Sequence, residues 1–315
     1  MLTRDQKYFF HKKGYLVLEN FIDQKKIITP IINEYASLLD NLIREWSFNG
    51  LVKNEYSSLN FFEKLKLAYK EGYDWFQPMD ISLPGNKITV DTPMHFGPAV
   101  FNLIIYEELL DVISEIIGDE ITSNPIQHIR LKPPSKLLHK EESRAHITYT
   151  DWHQDRGVAL KIADKTQMVT VWVAITDSNI NNGCLQVMEK TDSLLPHCPK
   201  IQTAIVDDFI QKDQIISLEV KSGSIIILDP LTPHSSLPNF SEDFRWSFDI
   251  RYNKTGEPTG REHFPEFIAR SKLKPEIEIT DWRIWKNKWE NSRKNLANKK
   301  HIPIHRWTSN SPYCA

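Results

Sequence analysis

The sequence predicts a mainly β chain with flanking helices, its core a double-stranded β-helix, that is, a jelly roll of the cupin type. Short apolar, β-branched runs recur at close spacing between residues 119 and 255, and residues able to bind a metal fall at the ends of such runs. The 315 residues, 40% of them hydrophobic, are enough for one large domain, and a single β-rich domain is common at this length. The expected layout is one domain over 1–315: a mostly helical buttress (1–118), the β core (119–255) and a C-terminal extension with a packing helix (256–315).

Residues 3–13 are polar with Tyr8, Phe9 and Phe10 embedded, which suits a short helix closed by Gly14, and a strand follows at 15–18. From 23 to about 46, Ile27, Ile31, Tyr35, Leu38, Leu42 and their neighbours recur at helical spacing, predicting an amphipathic helix against a sheet. Residues 61–73 suit another helix, whereas 75–78 and 83–86 read as loops. The aromatic loop 92–98 could wall a pocket, but surface packing is the commoner role of such loops. One helix is expected over 99–117, stopped by Gly118.

Over 126–132 the chain alternates: Ile126, His128, Arg130 and Lys132 face one way, Gln127, Ile129 and Leu131 the other, until Pro133-Pro134 ends the strand. Residues 135–146 read as an exposed loop and 156–166 as a connection. Strands are predicted at 167–176 and 184–188 around a turn, and 189–214 as a long loop. Residues 215–220 are expected to pair with 224–228 through Lys221-Ser222-Gly223. Trp282, Trp285 and Trp289 share one helical face, read as packing on the core and not as a basic-aromatic binding surface.

Global properties exclude several classes. The net charge is −2 with both signs mixed, so no field argues for nucleic acid or a membrane surface. No apolar run approaches the roughly 18 residues of a membrane span, and the N-terminus lacks a signal peptide's apolar centre. Cys184, Cys198 and Cys314 are sparse and odd in number, which predicts free thiols in a reducing compartment, hence a cytoplasmic protein. Nothing in the sequence sets an oligomeric state.

The chemistry centres on Tyr149-Thr150-Asp151-Trp152-His153-Gln154-Asp155. Two residues apart on an extended segment, His153 and Asp155 project to the same side. His234 follows an apolar run and a Pro-bounded turn, as if delivered to a strand mouth, and would complete a 2-His-1-carboxylate face, the ligand set of non-haem Fe(II) oxygenases. Eleven residues on, Arg245 opens a segment in which Arg245, Ser247, Asp249 and Arg251 alternate with Trp246, Phe248, Ile250 and Tyr252. Its planar guanidinium can grip a carboxylate at two points. A lone His-x-Asp arises often by chance; the combined set is much more specific.

These residues, with Val169-Thr170-Val171-Trp172, Asn182-Gly183-Cys184-Leu185 and the opening Phe10-x-x-x-Gly14-Tyr15, resemble the phytanoyl-CoA dioxygenase family of Fe(II)/2-oxoglutarate oxygenases. The resemblance covers about residues 5–255. It implies iron held by His153, Asp155 and His234, the far carboxylate of 2-oxoglutarate on Arg245 with Arg251 as the fallback, further co-substrate contacts from Ser236 and Gln154, and Trp172 packed nearby. O2 would be consumed, succinate and CO2 released, and an unactivated C–H of a small-molecule or acyl substrate hydroxylated; desaturation or ring closure stays open. Asp155 speaks against halogenation, which in relatives needs a small residue there. Met188-Glu189-Lys190-Thr191-Asp192 departs from the Pro-Gly-Ser-His turn of many relatives, which leaves the substrate open. Gln127, Arg130, Tyr149 and Trp152 are candidate substrate contacts by strand phase alone. The strand at 126–132 is expected beside the iron-bearing one. The remaining histidines, His11, His139, His146, His197, His263, His301 and His305, are expected at the surface.

Two other readings compete. A catalytically silent cupin-like protein could use the triad for a structural metal or small ligand. A hydrolytic zinc enzyme would need a general base beside its ligands, for which only Asp151 and Asp229 lie near in sequence.

Overall fold

The computed structural model describes all residues except 53–55, 145–146, 201, 298, 300–301, 312 and 315. The N-terminal part holds α1 (Arg4–Lys13), β1 (Tyr15–Leu18), α2 (Thr29–Phe48), α3 (Phe61–Lys70), the short α4 (Phe76–Met79), α5 (Pro98–Ile104) and α6 (Glu107–Ile117). Then come β2 (Glu120–Lys132), β3 (Thr150–His153), a helical turn α7 (Asp155–Val158), β4 (Met168–Ala174), β5 (Leu185–Val187), β6 (His197–Pro199) and β7 (Thr203–Ile205). The chain continues through β8 (Ile216–Leu218), β9 (Ile225–Leu228), β10 (His234–Ser236), β11 (Arg245–Lys254), β12 (Phe267–Ser271) and α8 (Trp282–Leu296).

A six-stranded sheet, β1-β9-β4-β11-β2-β12, packs against a four-stranded sheet, β3-β10-β5-β8, both antiparallel, with β6-β7 as a separate hairpin. Alternation assigns each face. Val169, Val171 and Val173 of β4, Ile225 and Ile227 of β9, and Trp246, Phe248, Ile250 and Tyr252 of β11 join the helices in one large apolar cluster. The opposite faces of β4 and β9, with Trp172, Ala174, Ile226 and Leu228, meet Leu185, Val187 and Leu218 of the smaller sheet. Between the sheets, β11 offers Arg245, Ser247 and Arg251, which are buried, and Asp249, which is partly buried. The jelly-roll core is therefore as expected.

The helical buttress forms for local reasons. Thr3 and Gln6 make a capping box on α1, and Gly14, at φ 81°, closes it and turns the chain into β1. Asp23 caps a π-turn that runs into α2, whose Tyr35 is buried edge-on against Trp246 at 5.1 Å and donates its hydroxyl to Met79 O at 3.0 Å. In α8, Trp285 and Trp289 are buried, Trp289 stacked on Phe96 at 5.1 Å, so this tryptophan face packs.

Several expectations need correcting. The expected single helix over 99–117 breaks at Ile105 and Tyr106, because Phe101 of α5 packs on Trp285 and Phe267 while Leu109, Val112 and Ile113 of α6 turn into the main cluster. Residues 76–79 are helical and not loop. The expected 215–220/224–228 hairpin does not form: β8 pairs with β5, β9 pairs with β1 and β4, and Gly223, at φ 81°, marks the crossing between sheets. Inside the expected long loop lies the β6-β7 hairpin. The strand at 126–132 begins at Glu120 and lies in the sheet opposite β3, not beside it. Limits of 119–255 for the core are too narrow, since β1 and β12 form the edges of the large sheet. The thiol reading also fails in part. Cys198 and Cys314 are disulfide-bonded with Cα atoms 5.4 Å apart, leaving Cys184 as a buried free thiol, so the cysteine argument for a reducing compartment falls. Among the described residues no helix is long and apolar enough to cross a membrane.

Candidate active site

Strands β3 and β10 are neighbours in the smaller sheet, with His153 and His234 directly opposed. Their rings lie 4.2 Å apart. The strand ends at His153, but Gln154 stays extended (φ −111°, ψ 138°) before α7 begins, which carries Asp155 to the same side as His153. One ligand atom from each of His153, Asp155 and His234 lies within 4.8 Å of the other two, and all three residues are buried. Asp155 Oδ1 is 3.9 Å from His153 Nε2 and 4.0 Å from His234 Nε2.

The tautomers are set by the backbone. His153 Nδ1 donates to Asp151 O at 2.8 Å and His234 Nδ1 to Thr232 O at 3.0 Å, which leaves both Nε2 lone pairs pointed at the shared space. Burial, and then the neighbouring His234, hold the His153 ring well below its usual pKa and so in the neutral form a metal requires. Burial alone would raise the Asp155 carboxyl, but Arg251, followed by His234 and His153, holds it well below the usual carboxylate range. Arg251 Nη2 donates to Asp155 Oδ1, and Thr170 Oγ1 donates to Oδ2 at 2.5 Å while accepting from Arg251 Nε at 3.0 Å. Two imidazoles with their Nε2 atoms turned inward and one ionised, braced carboxylate make a donor set that fits a first-row divalent metal with open positions.

Behind the triad runs a narrow recess of about 20 Å³ lined by Trp172, Leu185, Leu228, Ser235, Ser236 and Arg245, among others. Arg245 is fully buried, its guanidinium 5.4 Å from the Trp172 ring centroid. Nη1 donates to Ser247 Oγ at 2.7 Å, while Nε and Nη2 have no partner among the described residues. Burial, and then the charge of Arg130, push its pKa down to about 10. An orphaned buried guanidinium is costly unless something fills its donors, so the recess suits a carboxylate. Lys132, paired opposite Arg245 in the sheet, donates to Ser236 Oγ at 2.8 Å and Leu237 O at 2.6 Å, and burial holds its pKa well below the usual lysine value. The recess opens past Arg130, His153 and Asp155 into an outer cavity of about 580 Å³ walled by α4, residues 82–85, β2 and the C-terminal tail.

Of the residues singled out in the sequence, His153, Asp155, His234, Arg245, Ser236 and Trp172 converge here. Gln154 does not. Its amide donates to Thr191 Oγ1 and Leu231 O, both at 2.7 Å, and its carbonyl accepts from Leu195 N, so it clamps loops behind the site and does not line the recess. Arg251, the alternative to Arg245, donates through Nη2 to Asp155 Oδ1. Arg130 lines both spaces and grips Asp249, whereas Gln127 is buried against Ile81 O and Tyr149 is exposed; neither, nor Trp152, lines the cavities. The 92–98 loop packs away from the site, His95 on Glu34 at 2.9 Å.

His197, expected at the surface, is buried: its Nε2 accepts the Gln154 N–H at 3.0 Å and its Nδ1 donates to Leu195 O. His11, His139 and His305 are exposed and His263 half-buried, while His146 and His301 lie outside the described residues. Thr170 was a legible clue, a polar residue in an apolar strand. Lys132 and Arg251 shared a face with Arg130 and Arg245, but what they grip depends on strand pairing.

A sequence model described as phytanoyl-CoA dioxygenase (PhyH) matches residues 10–247. The chain is 23% identical to a probable phytanoyl-CoA dioxygenase of Caenorhabditis elegans, over 80% of this chain and 75% of that one. It is likewise 23% identical to a phytanoyl-CoA dioxygenase of Arabidopsis thaliana, over 79% of this chain and 88% of that one. Its fold is similar to that of the solved apo non-heme monooxygenase ThoJ, with a TM-score of 0.57 at 16% identity over 92% of this chain and 97% of that one.

Proposed function

The chain belongs to the phytanoyl-CoA dioxygenase family of iron- and 2-oxoglutarate-dependent oxygenases, and from that premise we propose that it hydroxylates an unactivated C–H of a small-molecule or acyl substrate. The observation that carries this reading is the buried triad with both imidazole Nε2 atoms directed at one point and the carboxylate ionised beside them. His153, Asp155 and His234 would hold Fe(II). Iron bound there would use O2 and 2-oxoglutarate, which leaves as succinate and CO2, to oxidise the substrate.

The protein's own part is positioning. Arg245 would take the far carboxylate of 2-oxoglutarate on its two unpartnered nitrogens, with Ser236 and Lys132 beside it and Trp172 as a wall. The co-substrate would span from Arg245 to the triad, at the junction of the recess and the outer cavity. Arg251 and Thr170 fix the carboxylate's orientation, as outer partners of metal ligands generally do. The substrate would enter from the outer cavity, placing its C–H beside the triad and away from bulk water.

Anaerobic addition of Fe(II) and 2-oxoglutarate is expected to give the weak visible charge-transfer band of the chelate, abolished in His153→Ala and weakened about 10- to 100-fold in 2-oxoglutarate affinity in Arg245→Ala. Folded protein that gives no band would defeat the oxygenase reading in favour of a silent metal- or ligand-binding role.

A further inference from the structure

One guanidinium in the wall of the outer cavity lacks a carboxylate partner among the described residues. The wall carboxylates are already engaged: Asp74 pairs with Arg144, Asp249 with Arg130 and Asp155 with Arg251, while Asp80 Oδ2 lies 3.0 Å from His128 Nδ1. Arg261 has no carboxylate within ion-pair distance among the described residues. It is 7% exposed and lines the cavity, and among the described residues its guanidinium donates to backbone carbonyls alone, Gly260 O at 3.1 Å and Val158 O at 2.9 Å. Two bonds leave three of its five N–H groups without an acceptor among the described residues. Glu262, next in sequence, turns its carboxylate to Gly260 N instead. Nη1 of Arg251, which lines the same cavity, is also buried without a partner among the described residues.

This pair is held rigidly. Arg261 N donates to Thr259 Oγ1, Asn124 Nδ2 donates to Thr259 O, and Thr166 Oγ1 donates to Pro258 O. Gly260, at φ 79°, sits where a Cβ would come within 2.8 Å of Ala159, so the loop has one way to pack. Around the guanidiniums the wall is apolar, with Ile126, Val158 and Phe264. Two preorganised guanidiniums with spare donors form an oxyanion receptor, and the wall beyond it suits a hydrocarbon body.

We propose that Arg261 and Nη1 of Arg251 form an oxyanion subsite that anchors a substrate with a carboxylate or phosphonate head and an apolar body, and so aims one of its C–H bonds at the triad. This rests on the oxygenase reading for its purpose, though not for its detection.

The test is anaerobic calorimetric titration of protein saturated with Fe(II) and 2-oxoglutarate, using octanoate, octylphosphonate and neutral octanamide as probes. At least one anion is expected to bind about 10- to 100-fold more tightly than octanamide; which one does identifies the head group. Arg261→Gln should erase that preference and Arg261→Lys restore part of it, with melting temperatures reported for both and the chelate band unchanged. The same titrations on unloaded Arg245→Ala protein, where the only guanidinium left in the recess among the described residues is Arg130, already paired with Asp249, read the subsite without iron. No anion preference, or a preference that survives Arg261→Gln, overturns the proposal. An Arg261-dependent preference in protein that forms no chelate band would keep the subsite and remove the oxygenase reading.

Discussion

The His197 ring accepts the Gln154 N–H on one nitrogen and donates to Leu195 O from the other, leaving no place for a second proton, and burial lowers its pKa to about 4. Unfolded, it takes a proton near pH 6.5. Between those values the unfolded chain binds more protons, so stability drains away as pH falls from 6.5 to 4 and is unaffected by this ring above that window. A loss of about 3 kcal/mol follows from a displacement of this size. Unfolding titrations across the window should show a smaller loss for His197→Asn, which keeps an acceptor for Gln154; equal slopes would acquit the ring. At this scale the sequence was legible where residue type and spacing suffice, as for His153, Asp155, His234 and Arg245. It was not legible for His197, whose burial depends on the tail that covers it, or for Gln154, whose neighbours in the chain belong to the triad while it faces backward.

Asp155 opens the turn α7, and the turn is held by what lies against Gly157. A Cβ there would meet the His197 ring at 2.6 to 3.0 Å, and Trp307 Nε1 donates to Gly157 O at 2.8 Å. Gly157→Ala must therefore displace the ring or the turn, at a cost of about 1–3 kcal/mol. We expect a lower melting temperature together with weaker Fe(II) binding, since Asp155 moves with the turn; a stability loss with unchanged metal affinity would separate the two. Element existence was largely readable, because alternation in β11 and periodicity in α2 report burial directly. Partner choice was not. The Lys221-Ser222-Gly223 link has the look of a hairpin, yet each flanking strand pairs elsewhere, as local turn chemistry does not say which sheet a strand will join.

Across the whole molecule, the Cys198–Cys314 bond ties the tail to the β6-β7 hairpin over a separation of 116 residues. The tail it secures stacks Trp307 on His197 at 5.1 Å, pairs Arg306 with Asp164 and brings Ile304 and His305 to the outer cavity. Reduction, or Cys314→Ser, should cost about 2–4 kcal/mol and, by loosening that wall, raise the KM for substrate more than it lowers kcat. Thermal melts with and without reductant check the first part; a wild type indifferent to reductant would count against it. Nothing in an odd trio of distant cysteines pointed to this pairing, which exists only because the fold returns the tail to the hairpin. The sheet order has a consequence for dissection. Strands drawn from near the two ends of the chain are the rims of the larger sheet, so a piece cut at 119–255 would present Ile225-Ile226-Ile227-Leu228 and the long β2 as raw borders. Such borders recruit other chains, and the excised core would polymerise rather than catalyse.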